Sequence, residues 1–127
     1  MSWSVVVAVA CAGALGAISR FLLSELIRGW CGAFPLSTLV VNVLGCLLFG
    51  LCWAVGHGRW TPLIQAAVLV GFLGAFTTFS TFAFDCNQLL EQRQWLRLLV
   101  NLAAQNVLGL LAVWAGVTLV STLRAPG

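Results

Sequence analysis

Gly71-Phe-Leu-Gly-Ala-Phe-Thr-Thr-Phe-Ser-Thr-Phe-Ala-Phe-Asp85 is the stretch on which the reading of this chain turns. It sets the hydroxyls of Thr77, Thr78, Ser80 and Thr81, with two glycines, inside a segment otherwise apolar enough to cross a membrane. Polar groups in hydrocarbon are costly unless something satisfies them. The cluster therefore predicts a helix that breaks mid-span, where small ions or water meet the protein.

The rest of the chain places that segment in a bilayer. Of its 127 residues, 61% are hydrophobic and only 7% charged, against roughly 25% charged in soluble domains. So small a chain cannot hide that much apolar surface in its own core, so lipid covers most of it. The whole length, 1–127, reads as one domain.

Four apolar segments are predicted as spans, approximately 3–27, 36–55, 62–90 and 95–123. Each holds roughly 20 or more residues, enough for a helix to cross the hydrocarbon core. Gly29 to Pro35 supplies the first turn, Gly56-His57-Gly58-Arg59 the second and Glu91-Gln92-Arg93-Gln94 the third. Thr61-Pro62 opens the third span as N-cap and first helical residue. Trp3, Trp30, Trp60 and Trp95 fall near span ends, where indole rings favour the headgroup zone. Ala8-Val9-Ala10-Cys11 imitates a cleavage site, but no Arg or Lys precedes the apolar run, so the first segment reads as a retained span.

An even number of spans puts both termini on one side, with Arg59 and Arg124; Arg28, Arg93 and Arg97 fall on the other. This asymmetry is small for the positive-inside rule. Weak bias is compatible with insertion in both orientations and pairing as an antiparallel dimer. Four helices are also too few to enclose a wide aqueous passage, so transport calls for an oligomer, most simply a two-fold dimer.

Several function classes drop out. The net charge is +3, and the six arginines do not cluster, so no nucleic-acid footprint is present. Cys11, Cys31, Cys46, Cys52 and Cys86 form no C-x-x-C pair, and His57 is the only histidine, so no metal-site spacing arises. Glu25, Asp85 and Glu91, all near helix ends or loops, make no acid–base pair, and no nucleophilic triad or phosphate loop is found. The chain is not expected to be an enzyme.

What remains is polar chemistry inside spans. Asn42 is the strongest anomaly in the second span; it reads either as interhelical glue or as a donor on an ion path. Phe79 and Phe82, three apart, share a helical face with Ser80 and Thr81 between them. Ring edges carry positive potential and hydroxyls donate, so the set suits a small anion, although phenylalanines in spans also simply pack. Gly74 followed by Thr77-Thr78 favours unwinding, which frees carbonyls for a monovalent cation such as sodium. The opposing reading is an unbroken helix with Thr hydroxyls bonded to the preceding turn. Arg20 sits deep in the first span and either snorkels or raises the potential for an entering anion. Asp85 closes the aromatic–hydroxyl run near the far mouth. Asn101, Gln105 and Asn106 in the fourth span read mainly as glue, with path lining as the lesser reading.

These residues resemble the fluoride ion channel family (Fluc, also called CrcB). The matching stretches are Gly13-Ala-Leu-Gly-Ala-Ile-Ser-Arg20, Thr38-Leu-Val-Val-Asn42-Val-Leu-Gly45, and Gly71-Phe-Leu-Gly74 running through Thr77-Thr-Phe-Ser-Thr-Phe82. The likeness covers nearly the whole chain. It implies an all-α, four-span membrane protein with its third helix broken mid-membrane, in the inner (plasma) membrane of a bacterium. It further implies an antiparallel, dual-topology homodimer that passively exports fluoride and so lowers its toxicity. A structural sodium at the dimer centre is implied, held by backbone carbonyls of Gly74 and Thr77. The implied anion pathway is Thr38, Asn42, Phe79, Ser80, Thr81 and Phe82, with Arg20 and Asp85 as vestibule charges. Departures are Ala75 where Gly is common, Ala83 where Ser is common, and Asp85 in place of the usual Glu. The rival expectations are a four-span proton-coupled multidrug transporter and a non-transporting membrane subunit. The former wants a carboxylate deep in the first span, where only Glu25 is available, near its end.

Overall fold

A computed structural model describes residues 2–29 and 34–124. The turn residues Trp30, Cys31, Gly32 and Ala33 lie outside the described residues, so the placement of Trp30 at a span end is not addressed.

The chain folds as helices throughout its described length. Helix α1 spans Trp3–Arg28 and α2 spans Leu36–Gly56. The third apolar segment is composite. It runs as α3 (Pro62–Gln65), a π-helical stretch (Ala66–Leu73), α4 (Gly74–Phe76) and α5 (Phe79–Glu91). Helix α6 spans Trp95–Arg124. Trp3–Arg28, Leu36–Gly56, Pro62–Glu91 and Trp95–Arg124 are each long and apolar enough to cross a membrane.

Local chemistry explains the ends. Thr61 Oγ1 accepts the Ile64 N–H at 3.4 Å, with Pro62 filling the first helical position. Arg93 takes φ +57°, and the Gln94 N–H returns to the Leu89 carbonyl at 2.9 Å, which closes α5 before α6 begins. Arg124, in the last turn of α6, donates to the carbonyls of Ala54 (2.6 Å) and Val55 (3.1 Å). A cation thus meets the negative end of α2.

The last contact shows that α2 and α6 run in parallel and in register, since Asn42 meets Gln105 and Gly50 meets Val113 further along. This pair and that of α1 with the π-helical stretch are the main helix–helix packings. At Gly50 the approach is so close that a Cβ would collide with the Val113 carbonyl oxygen, the small-residue contact by which membrane helices pack. The buried interior is small and centres on Val41, Leu73, Phe76, Leu89 and the amide of Asn101, which has 0% exposure. Large side chains such as Leu15, Leu110 and Trp114 stand exposed along the helix faces, as expected where lipid or another protein covers them.

Candidate functional site: a phenyl-walled groove at a helix interruption

At Thr77 and Thr78 the backbone leaves helical geometry. Their dihedrals are φ −83°, ψ 156° and φ −148°, ψ 112°, both extended. Gly74 remains helical (φ −64°, ψ −33°), so the turn away begins three residues after the glycine. The threonines close both helical ends. Thr77 donates twice to the Leu73 carbonyl, from N–H (3.1 Å) and Oγ1 (3.0 Å). Thr78 Oγ1 accepts the Thr81 N–H at 3.2 Å and caps α5.

Asn42 holds the interruption in place from α2. The Thr78 N–H donates to Asn42 Oδ1 at 2.8 Å, and Asn42 Nδ2 donates to the Thr78 carbonyl at 3.0 Å. One carboxamide thereby pairs with both polar groups of one peptide residue, as a neighbouring strand would. The N–H that would continue the helix onto the Gly74 carbonyl is diverted to α2. Asn42 Nδ2 also donates to Gln105 Oε1 on α6 at 3.1 Å, so both of its hydrogens are engaged.

Around this clamp opens a groove of about 400 Å³, lined by Asn42, Gln105, Thr78, Phe79 and Phe82 among others. The two phenyl rings meet edge to face, with centroids 5.6 Å apart and planes at 64°. Phe82 is buried at 8% exposure, whereas Phe79 stands 78% exposed. Ser80 and Thr81 are exposed, and their hydroxyls lie 3.3 and 3.0 Å from Thr78 Oγ1. Gly45 is required here, because a Cβ would strike the Thr77 methyl and come within 3.2 Å of the Phe76 ring.

Arg20 and Thr38 sit elsewhere, around a smaller cavity of about 190 Å³ that Thr78, Thr81 and Arg28 also line. Asp85 lines a third, polar cavity of about 350 Å³ with Gln88, Gln92 and again Arg28. Asp85 Oδ2 is sealed and unpartnered. Thr78 therefore borders the first two cavities and Arg28 the last two. Arg28, engaged with Glu25 at 2.9 Å, figures in the sequence only among the charges on one side of the membrane; its spacing of about two helical turns from Arg20 is the available signal. Gln105, read mainly as glue, joins the groove itself. Among the described residues no cluster of three metal-ligating side chains occurs.

Four membrane-length helices, an extended pair of threonines clamped by a carboxamide, and a largely apolar, phenyl-walled groove bearing a few amide and hydroxyl groups define a small multi-pass membrane protein with a helix interruption inside one of its spans. Residues 7–117 match the sequence model of the family described as CrcB-like protein, Camphor Resistance (CrcB). The chain belongs to that family. It is 49% identical over 120 residues to the fluoride-specific ion channel FluC of Nitrosococcus oceani, covering 92% of this chain and 96% of the relative. It is 48% identical over 114 residues to that of Solidesulfovibrio magneticus, covering 87% and 91%. Against FluC 1 of Symbiobacterium thermophilum it is 43% identical over 123 residues, covering 94% and 97%. With its four apolar helices, the chain is a multi-pass protein of the bacterial inner membrane.

Proposed function

We propose that this protein is a fluoride-selective ion channel through which fluoride leaves the cytoplasm down its electrochemical gradient, lowering its toxicity. The observation that carries the reading is the groove at the Thr77–Thr78 interruption, where phenyl edges and hydroxyls meet within a span. The FluC relatives, matched over nearly their whole lengths, support it.

A small anion crossing hydrocarbon must exchange its water shell for protein donors. The positive rims of Phe79 and Phe82 in the groove are the replacements, joined by the hydroxyls of Thr81, which borders the adjoining cavity, and of Ser80 beside Thr78, with Asn42 steadying the backbone between them. Thr38 and Arg20 border the adjoining cavity, where the guanidinium raises the local potential for an anion. Asp85 marks the mouth beyond.

The active unit is an antiparallel, dual-topology homodimer, since one protomer leaves Phe79 uncovered and its groove open. The interruption lies at mid-membrane in this reading. The residues also fit a sodium ion: the diverted Thr78 N–H releases the Gly74 carbonyl, Gly74 is exposed, and hard cations take oxygen ligands. Gly74 and Thr77 carbonyls would hold it, and the ion would supply positive charge that offsets the carbonyl dipoles at the interruption.

The test is fluoride efflux from liposomes carrying the purified protein, read with a fluoride-selective electrode. Wild-type protein releases fluoride well above protein-free vesicles. Phe82→Ile lowers the rate by at least about tenfold, the effect of roughly 1.4 kcal/mol in a barrier, while the dimer still assembles. Wild-type efflux at the protein-free level would end the reading.

A further inference from the structure

We infer that the turn between α5 and α6 is a binding site for the phosphate headgroup of an anionic phospholipid, held by Arg93 and Arg97 and seated against Trp95 and Leu96. The site lies at the opposite end of α5 from the Thr77–Thr78 interruption, and its occupancy does not depend on which ion the groove passes.

Arg93, Gln94, Trp95, Leu96 and Arg97 line a cavity of about 530 Å³ at this turn. Both arginines are exposed, and the chain has only three acidic side chains that could meet them. All three are engaged or placed elsewhere. Glu25 pairs with Arg28 at 2.9 Å, Glu91 accepts from Asn87 Nδ2 at 2.8 Å, and Asp85 borders a different cavity. Arg97 also stands in the first turn of α6, the end at which a cation is disfavoured, and no acidic residue offsets it there. Two guanidinium groups thus share one cavity with no carboxylate partner among the described residues.

Their neighbours hold them ready for an acceptor. Arg97 Nη1 donates to Gln94 Oε1 at 2.7 Å, and Gln94 Nε2 in turn donates to Gln92 Oε1 at 2.7 Å. That chain of amides fixes one corner of the Arg97 guanidinium and leaves its other N–H donors unengaged. Arg93 occupies the φ +57° position that closes the turn, a conformation glycine takes at lower cost. The turn alone therefore gives no reason for an arginine there. A guanidinium is planar and pairs phosphate oxygens two at a time.

The apolar neighbours select a lipid over a free phosphate. Trp95 is 58% and Leu96 76% exposed, between the two arginines in sequence. The turn joins two membrane-length helices, at the level where indole rings meet headgroups. Inorganic phosphate would leave both apolar side chains bare, whereas a phospholipid lays its glycerol and upper acyl chain against them. A net-negative headgroup is favoured over a zwitterionic one because the site already carries two positive charges. Occupancy ties the far end of α5, the helix that carries Phe79 and Phe82, to the membrane surface, as Asn42 holds the residues before its start.

The test takes the full-length protein, purified and stripped of lipid in detergent. Its unfolding midpoint is read with phosphatidylglycerol, with phosphatidylcholine of the same acyl chains, and with inorganic phosphate. Phosphatidylglycerol is expected to raise the midpoint by at least about 5 °C, as a specific ligand does at roughly 100 times its Kd. The other two are expected to give less than about half of that rise. The increment of phosphatidylglycerol over phosphatidylcholine is then read in Arg93→Gln, in Arg97→Gln, in the double variant, and in Arg59→Gln, which removes the same charge from the turn before α3. Each single variant at the site is expected to reduce the increment and the double variant to abolish it, while Arg59→Gln keeps it. Any one of the three that assembles decides the location, and the wild-type protein decides the headgroup by itself. Equal midpoints in the two lipids would show that headgroup charge is not read. An equal rise with inorganic phosphate would show a site for free anions. An equal loss in Arg59→Gln would show attraction to the overall charge of the protein. Each of these overturns the inference, as does an undiminished increment in an assembled double variant.

Discussion

Thr78 spends every polar group it has. Its N–H and carbonyl go to Asn42, and its hydroxyl caps Thr81 while lying near Ser80. Two residues of extended backbone inside an apolar segment would otherwise leave peptide groups bare, at about 1–3 kcal/mol each. Asn42→Leu, similar in size but without polar atoms, is therefore expected to destabilise the protein by about 2–4 kcal/mol, measured as a lower unfolding midpoint in detergent. Asn42→Asp keeps the acceptor for the Thr78 N–H and loses both donors. It should assemble better than Asn42→Leu yet carry little fluoride. Normal flux from Asn42→Asp would mean that the donors of Asn42 are dispensable. At this scale the sequence singled out Asn42 and left glue and ion donor as alternatives. It could not name Asn42's partners, which lie 36 and 63 positions away. Hydrogen-bond direction between such distant groups emerges only when the helices are packed.

The third apolar segment is the element on which the site depends. Its start was legible, since Thr61 and Pro62 are a cap and first-turn pair whatever follows. So was its end, where Glu91 to Gln94 form the turn around Arg93. The π-helical stretch Ala66–Leu73 was not legible. Its residues would serve an α-helix equally well, so side-chain type does not announce i+5 bonding; the stretch is the one that packs most extensively against α1. Gly45 links this element to α2. Gly45→Ala puts a methyl against the Thr77 side chain and Phe76 ring. The expected outcome is a loss of about 1–3 kcal/mol of stability from overpacking, with reduced fluoride efflux because Thr77 and Thr78 shift together. A variant with unchanged melting and efflux would show that the interruption yields without cost.

For the whole molecule, the issue is what covers the outer surface. Most of the large apolar side chains along α1, α5 and α6 are exposed, including Phe79 beside the groove. Lipid suffices for most of them, but a groove that opens onto hydrocarbon is no passage for an ion. An antiparallel pair would close it. Single cysteines placed near one end of α6, in a background lacking the native five, test this. Under the dual-topology proposal they react from both sides of the membrane and cross-link to partners at the opposite end of α6. Exclusive cross-linking of like ends would contradict it.

Composition and segment length alone settled that this chain crosses a membrane four times as helices, because apolar surface on that scale has nowhere else to go and backbone in lipid must bond to itself. The motif order around Asn42 and Thr77-Thr78-Phe79-Ser80-Thr81-Phe82 also sufficed to place the chain in its family. Only the packed helices decided which carboxamide clamps the interruption and which has hydrogens to spare, that Arg20 and Arg28 share one cavity while Arg28 also borders that of Asp85, and that Gly45 and Gly50 mark close helix approaches. Those are relations between residues far apart in the chain. They are set by helix register and backbone separation, which no local pattern of residue types encodes.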